Sequence, residues 1–394
     1  MIKLIFEFRK VIVNFLDNKD MSKKSILIVI IVLVIFSFSC KDTAKSLTNS
    51  EPKSINSDQP KTEKPKNDEP ILISAGGDIM LGSPYPNASR MPPNDGKDLL
   101  KPVTPIFEKA DIAFANLEGP IVDGGNSVKC SAATAGKTCF AFRMPTHYAA
   151  YLKEASLDVM SLANNHANDF GDRGRESTRK SLEQQGIKHA GSDKNEYAMT
   201  ILEAKGKKVA IVAFAHNALV PNVNELDFAK QLIEEANKKA DIVMVSFHGG
   251  AEGAVNARVS QKTEIFLGEQ RGNLPAFART VIDAGADVVI GHGPHVLRGM
   301  EIYKDRLIAY SLGNFVAYGW FPLAGATAET LVLEVKLAAD GKFIEGKIHP
   351  FILRGRGILT PDETNSVVKT IKRLSQSDFP TSMPKISDDG IITQ

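Results

Sequence analysis

Six apolar runs in this 394-residue chain each end on a side chain that can bind a cation or move a proton. "ILISAGGD" closes on Asp78, "DIAFANLE" on Asn116 and Glu118, and "LDVMSLANNH" on Asn164, Asn165 and His166. "KKVAIVAFAH" ends at His216 and "ADIVMVSFHGG" carries His248, while "VVIGHGPHVLRG" delivers His292 and His295 on a Gly/Pro turn. Singly, each has an ordinary explanation. A carboxylate after a strand commonly caps a helix, paired Asn residues make Asx turns, and a lone histidine is more often a hydrogen-bonded structural residue. As a set they outnumber the ligands of one tetrahedral zinc. Mixed carboxylate, amide and imidazole donors suit two divalent ions about 3.5 to 4 Å apart that share a bridging carboxylate.

Such donors converge only if the runs are strands of one architecture. The runs are short, apolar and β-rich, and they alternate with amphipathic stretches such as "RGRESTRKSLEQQG", "ELDFAKQLIEEANKKA" and "LPAFARTVIDAGA". Near-continuous apolar strands between helices indicate an α/β domain whose sheets are covered on both faces. In such folds ligands bind beyond the carboxyl ends of the strands, where every one of these donors sits.

A chain 43% hydrophobic and 24% charged can bury one large core or two modest ones. The net charge of +2, with scattered basic residues, gives no footprint for nucleic acid. No P-loop, dinucleotide fingerprint or nucleophile elbow is present. From Met21, which can serve as the start, "MSKKSILIVIIVLVIFSFSC" has the basic, apolar and small-residue regions of a secretory signal ending at Cys40. The apolar run is shorter than the ~20 residues of a spanning helix. Residues 41–70 are Lys, Ser, Asp and Pro with little to bury, and read as a flexible tether. Cys130 and Cys139 remain, either as a disulfide in an exported setting or as free thiols. Beyond residue 355 the sequence shows one candidate helix, "NSVVKTIKRLSQ", and a polar tail expected to be peripheral.

The ordered set "GGDIMLG", "ANLEGPI", "SLANNHANDFGDRG", "SFHGGAE", "ADVVIGHGPHVLRGMEIY" and "LIAYSLGNF" resembles the CapA family of bacterial poly-γ-glutamate capsule synthesis proteins, over residues 71–355. Ser39-Cys40 and the polar tract after it resemble a lipoprotein cleavage and lipidation site. The family resemblance implies a four-layer αββα sandwich of the metallophosphoesterase type. It also implies two divalent ions (Mn, Zn or Fe) held by Asp78, Glu118, Asn165, His248 and His295; either His292 serves as a further ligand, or one ligand is lost and the second ion binds weakly. Gly293 and Gly249 stand where family patterns carry a histidine and a tryptophan. His166 is implied as general acid. Asp169 or Asp172 either orients it or caps the helix beginning near Arg173, Glu252 matches a substrate-side acidic position, and Arg298 either meets an anionic substrate or lies on the surface. The expected protein is an exported, lipid-anchored component of a capsule synthesis complex. It would act on a phosphoester or related substrate, or bind an anionic polymer without cleaving it.

Overall fold

The chain crosses from one sheet to a second and returns. In the computed structural model, which describes residues 68–394, β1 (Ile71–Met80), β2 (Ile112–Leu117), β3 (Val159–Ser161) and β4 (Lys188–Ala190) form a parallel set. The second sheet takes β5 (Met199–Ala204), β6 (Lys207–Ala215) and β7 (Ile242–His248). A separate hairpin of β8 (Glu264–Phe266) and β9 (Glu269–Gly272) precedes β10 (Val288–His292), β11 (Met300–Tyr303) and β12 (Arg306–Ala309), which complete that sheet. The chain then returns with β13 (Asn314–Ala317), β14 (Glu329–Leu337), β15 (Phe343–Arg354), β16 (Ile358–Pro361), β17 (Lys385–Ile386) and β18 (Ile391–Thr393). The sheet orders are β17-β18-β15-β14-β1-β2-β3-β4, with β13 on β1 and β16 on β15, and β11-β12-β10-β7-β6-β5.

Six helices accompany them among the described residues: α1 (Thr104–Phe107), α2 (Tyr148–Glu154), α3 (Gly171–Gln184), α4 (Leu226–Asn237), α5 (Leu274–Asp283) and α6 (Ser366–Asp378). The strands read as unbroken apolar runs because each buries both faces. In β6, Val209, Ile211 and Ala213 enter the core between the sheets, with Ile71 and Ile73 of β1 opposite. The alternate residues Ala210, Val212 and Phe214 pack with Ile233 of α4 and Phe277 of α5. On the other side Ala113 and Ala115 of β2 pack with Leu152 of α2 and Leu182 of α3. Three apolar interfaces separate four layers, which is the αββα sandwich the family resemblance implied.

The C-terminal segment departs from the expectation of a peripheral tail. Val367, Val368 and Ile371 of α6 are buried in the inter-sheet core, and β18 pairs with β15 through Gly346 and Ile392. Met300 N donates to Ser375 Oγ at 2.8 Å. Strands of two and three residues are too short to show a period in sequence. The leader, Cys40 and residues 41–67 of the tether lie outside the described residues; among those described, no helix is long and apolar enough to cross a membrane.

Candidate metal centre

Asp78 reaches the inter-sheet face only because β1 bulges. Ala75 pairs with Phe114 and Asp78 with Asn116, so β1 carries one more residue than β2 over this stretch. Without it residue 78 would point to the opposite face, toward the helices. The adjoining glycine permits the close approach that results: a Cβ on Gly77 would lie 2.2 Å from Gly313 O, and Asp78 N donates to that carbonyl at 3.1 Å.

The opposing sheet supplies imidazoles. His248 and His292 end β7 and β10 in register, both fully buried. Counting by twos from Met244 and Ile290, which face the inter-sheet core, places both rings on the inner side. After Gly293 (φ 110°) the chain holds His295 at φ 57°, a left-handed conformation that costs a non-glycine residue about 1–3 kcal/mol. That turn brings His295 Nδ1 to 3.3 Å from Asp78 Oδ2 and Nε2 to 3.4 Å from Glu118 Oε1. His292 Nδ1 and His248 Nδ1 lie 3.5 and 3.9 Å from Asp78 Oδ1. Ligand atoms of Asp78, Glu118 and His295 all fall within 4.8 Å of one another.

The charge state of this cluster is set by burial against mutual attraction. Burial raises the Asp78 carboxyl, but His292, His295 and His248 together hold it well below the usual carboxylate range. Burial also pushes Glu118 up to about 8, with His295 opposing it. Burial works against charge on His295, yet Glu118 and Asp78 hold it up to about 10. A divalent cation displaces such shared protons from its ligands.

The donor set fits that role. Asp78 Oδ2, Glu118 Oε1, Asn165 Oδ1, His248 Nε2, both His292 nitrogens and His295 Nδ1 are buried without a hydrogen-bond partner. An unpaired buried polar atom costs about 1–3 kcal/mol, and those of Asp78, Glu118, His292 and His295 face one another at 3.3–3.5 Å, too long for good hydrogen bonds. A cation on those atoms removes the penalty, and oxygen and imidazole are ligand types of divalent metal ions.

Beside the cluster, His166 is fixed from several directions. Asp169 Oδ2 lies 2.7 Å from Nδ1, and Phe142 stacks on the ring at 3.7 Å. Asn164 Oδ1 accepts from His166 N at 3.1 Å. Burial lowers the His166 pKa, with Asp169 working against that. The two alternatives for the aspartates separate here: Asp169 orients the imidazole, whereas Asp172 is exposed in the first turn of α3, paired with Arg175 at 2.5 Å.

Residues 72–318 match the family described as bacterial capsule synthesis protein PGA_cap. The chain belongs to that family. Among curated PGA_cap relatives, the capsule biosynthesis protein CapA of Bacillus anthracis is 29% identical over 278 residues, 65% of this chain and 62% of that protein. The PGA biosynthesis protein CapA of Bacillus subtilis is 31% identical over 279 residues, 66% of this chain and 68% of that protein. The chain thus spans about two thirds of these relatives' length. A hypothetical protein of known structure from Thermus thermophilus has a TM-score of 0.45 at 16% identity, over 72% of this chain and 99% of that one.

Within the PGA_cap region one substrate-side expectation changes. Arg298 neither meets substrate nor lies on the surface; it is fully buried, with Nη1 and Nη2 each 2.8 Å from the Glu264 carboxylate and Nη2 donating to Asn256 O. It clamps the β8–β9 hairpin to the strand-end loops. Glu252 is half-buried and accepts from Arg271 Nη1 at 2.9 Å, while its charge still acts on Glu118 and His295. Cys130 and Cys139 form a disulfide.

Other residues serve the centre without having been singled out as ligands. Asn116 donates to Asp78 Oδ1 at 2.7 Å, and Asn314 of "YSLGNF" donates to His295 O at 3.1 Å. Both stood at strand ends, so their type and place were available signals. His216 Nδ1 lies 3.3 Å from His248 O, which makes it a support and not a member of the ligand cluster.

Proposed function

We propose that this PGA_cap protein is exported and lipid-anchored at Cys40, and acts as a metal-dependent hydrolase in the synthesis of an anionic envelope polymer of the poly-γ-glutamate type. The reading rests above all on the buried donor atoms of Asp78, Glu118 and His295, which lie within 4.8 Å of one another. Asp78, Asn165, His248, His292 and His295 would hold two divalent ions, with Glu118 bridging. When bound, such ions lower the pKa of water and neutralise charge that develops on a phosphoryl or acyl oxygen. His166, with Nδ1 committed to Asp169 and its plane held by Phe142, keeps Nε2 for delivering a proton to the leaving oxygen. A general acid so placed contributes typically ~10²- to 10⁴-fold. The names of the two CapA relatives support the polymer assignment.

A second reading, binding an anionic chain without cleaving it, draws on the absence of side chains at Gly249 and Gly293 beside the ligands. A third, hydrolysis of phosphoesters unconnected with capsule, shares the same centre. Metal analysis of the purified protein, with turnover of p-nitrophenyl phosphate by wild type and His166→Ala, separates hydrolysis from binding. One or two equivalents of Mn, Zn or Fe with turnover lost in the variant supports the hydrolase. Tight metal without turnover selects the binding role, and a metal-free protein overturns the proposal. Cys40→Ser moving the protein from the membrane to the soluble fraction tests the anchor.

A further inference from the structure

The segment from Ser127 to Phe142 is an arm laid over His166. Both of its ends hang on Asp169: Ser127 Oγ and Val128 N each donate to Asp169 O at 2.9 Å, and Phe142 N donates to Asp169 Oδ2 at 2.7 Å. Between those anchors the Cys130–Cys139 disulfide closes the arm, and Lys129 N and Cys130 N both donate to Ser127 Oγ at 3.0 Å. A cross-link over so short a loop narrows the conformations open to the arm. The arm's geometry is therefore tied to the same aspartate that orients the general acid.

What this arm presents is a cation. Lys129 Nζ lies 3.3 Å from His166 Nδ1 and 3.4 Å from Asp169 Oδ1, with 37% of the side chain exposed. Asp169 Oδ2 is already engaged by His166 and Phe142, so the ammonium meets only one oxygen, at long range. An ammonium has three N–H groups, which leaves capacity for an anion arriving from solvent. The wall beside it continues the pattern: Phe142 packs against Trp320 at 4.6 Å, Arg90 lies 4.0 Å over the Trp320 ring, and Phe140 is 45% exposed.

We propose that Lys129 is a specificity-determining residue, held by the disulfide-closed arm to bind a second negative charge of the substrate, a carboxylate or phosphate set apart from the group at Asp78 and His295. The inference rests on the anionic-polymer reading and says which side chain reads the charge. A cation on a braced arm selects polyanions over neutral chains of the same length. Its contribution is larger than that of a fully solvated lysine, because the arm is pre-ordered and the wall behind it is apolar.

The test is titration calorimetry of the full chain in neutral detergent, with a γ-linked glutamate oligomer and its uncharged glutamine counterpart as probes. Metal content and melting temperature are measured in parallel. Wild type should prefer the charged oligomer. Lys129→Gln should weaken that binding about tenfold, as expected for a hydrogen bond to a charged group, and flatten its salt dependence. Lys129→Arg should retain most of the affinity, and metal content and melting temperature should not change. Equal binding of the charged oligomer by wild type and Lys129→Gln overturns the role of Lys129 alone. If wild type binds neither oligomer, the polymer reading fails and this inference falls with it.

Discussion

Gly249 and Gly293 lie against each other across neighbouring strand ends: a Cβ on Gly293 would stand 2.8 Å from both N and O of Gly249, and Gly249 N donates to His292 O at 2.9 Å. The two places where this chain departs from the family pattern are thus one structural feature. Gly249 is itself closed to side chains, since its Cβ would meet Arg271 O at 2.7 Å. With no side chain at 293, the nearest imidazole along the chain is that of His292 in β10, whose Nδ1 lies 3.5 Å from Asp78 Oδ1. Gly293→Ala should lower stability by about 1–3 kcal/mol, because φ 110° adds backbone strain to the clash. Gly293→His should not add a ligand; reduced metal content in both variants is expected, and a Gly293→His protein with more bound metal than wild type would contradict this packing.

Metal removal should destabilise the domain. Without an ion, Asp78, Glu118, His292 and His295 meet only one another, at 3.3–3.5 Å, and a ligand at a hundredfold over its Kd stabilises the native state by about 2.7 kcal/mol. Dialysis against chelator should lower the melting temperature, and returned Mn or Zn should restore it. Asp78→Asn and His295→Ala should each lose most of the metal by elemental analysis. Unchanged melting after chelation would argue against a resident ion.

Arg298 should behave as a structural clamp. Removing one partner of a buried pair typically costs about 3–5 kcal/mol, and Arg298 is fully buried on Glu264. Arg298→Met should lower the unfolding free energy from urea titration by that amount, while the double change with Glu264→Gln should cost less than the two single changes summed. A stable Arg298→Met protein that has lost affinity for anions would return this residue to the substrate side.

His189 gives a pH signature away from the centre. It is buried on β4, with Nε2 3.0 Å from Glu183 Oε1. Burial lowers its pKa from the ordinary 6.5, and Glu183 only partly opposes this. The unfolded chain therefore binds the proton at higher pH than the folded one, so stability is full above pH 6.5 and falls as pH drops below it. One such proton contributes at most about 1.4 kcal/mol per pH unit. Urea midpoints between pH 5 and 7 should fall less steeply for His189→Gln than for wild type; equal slopes would show that His189 is not the source.

Much of the centre was readable because strands translate sequence into direction. Period-two counting places His248 and His292 on the inner face, and strand-end position nominates Asp78, Glu118 and Asn165. The same counting would have turned Asp78 the wrong way, since only the bulge at Gly76-Gly77 corrects its face. Arg298 was open to misreading because nothing within "HVLRG" shows that Glu264, 34 positions earlier, folds back onto it. Lys129 was passed over for a similar reason: its place beside His166 comes from a loop anchored on Asp169.

By itself the sequence determined that the strands are covered on both faces, the donor types and the order in which strands deliver them, because burial on both faces and strand-end chemistry are local patterns. The tertiary structure decided which donors meet. His295 closes on Asp78 through a left-handed turn, His292 comes within 3.5 Å of the same carboxylate, and the tail joins the core, all through contacts between segments far apart in the chain. Such contacts follow from packing between the sheets, which no stretch of sequence contains.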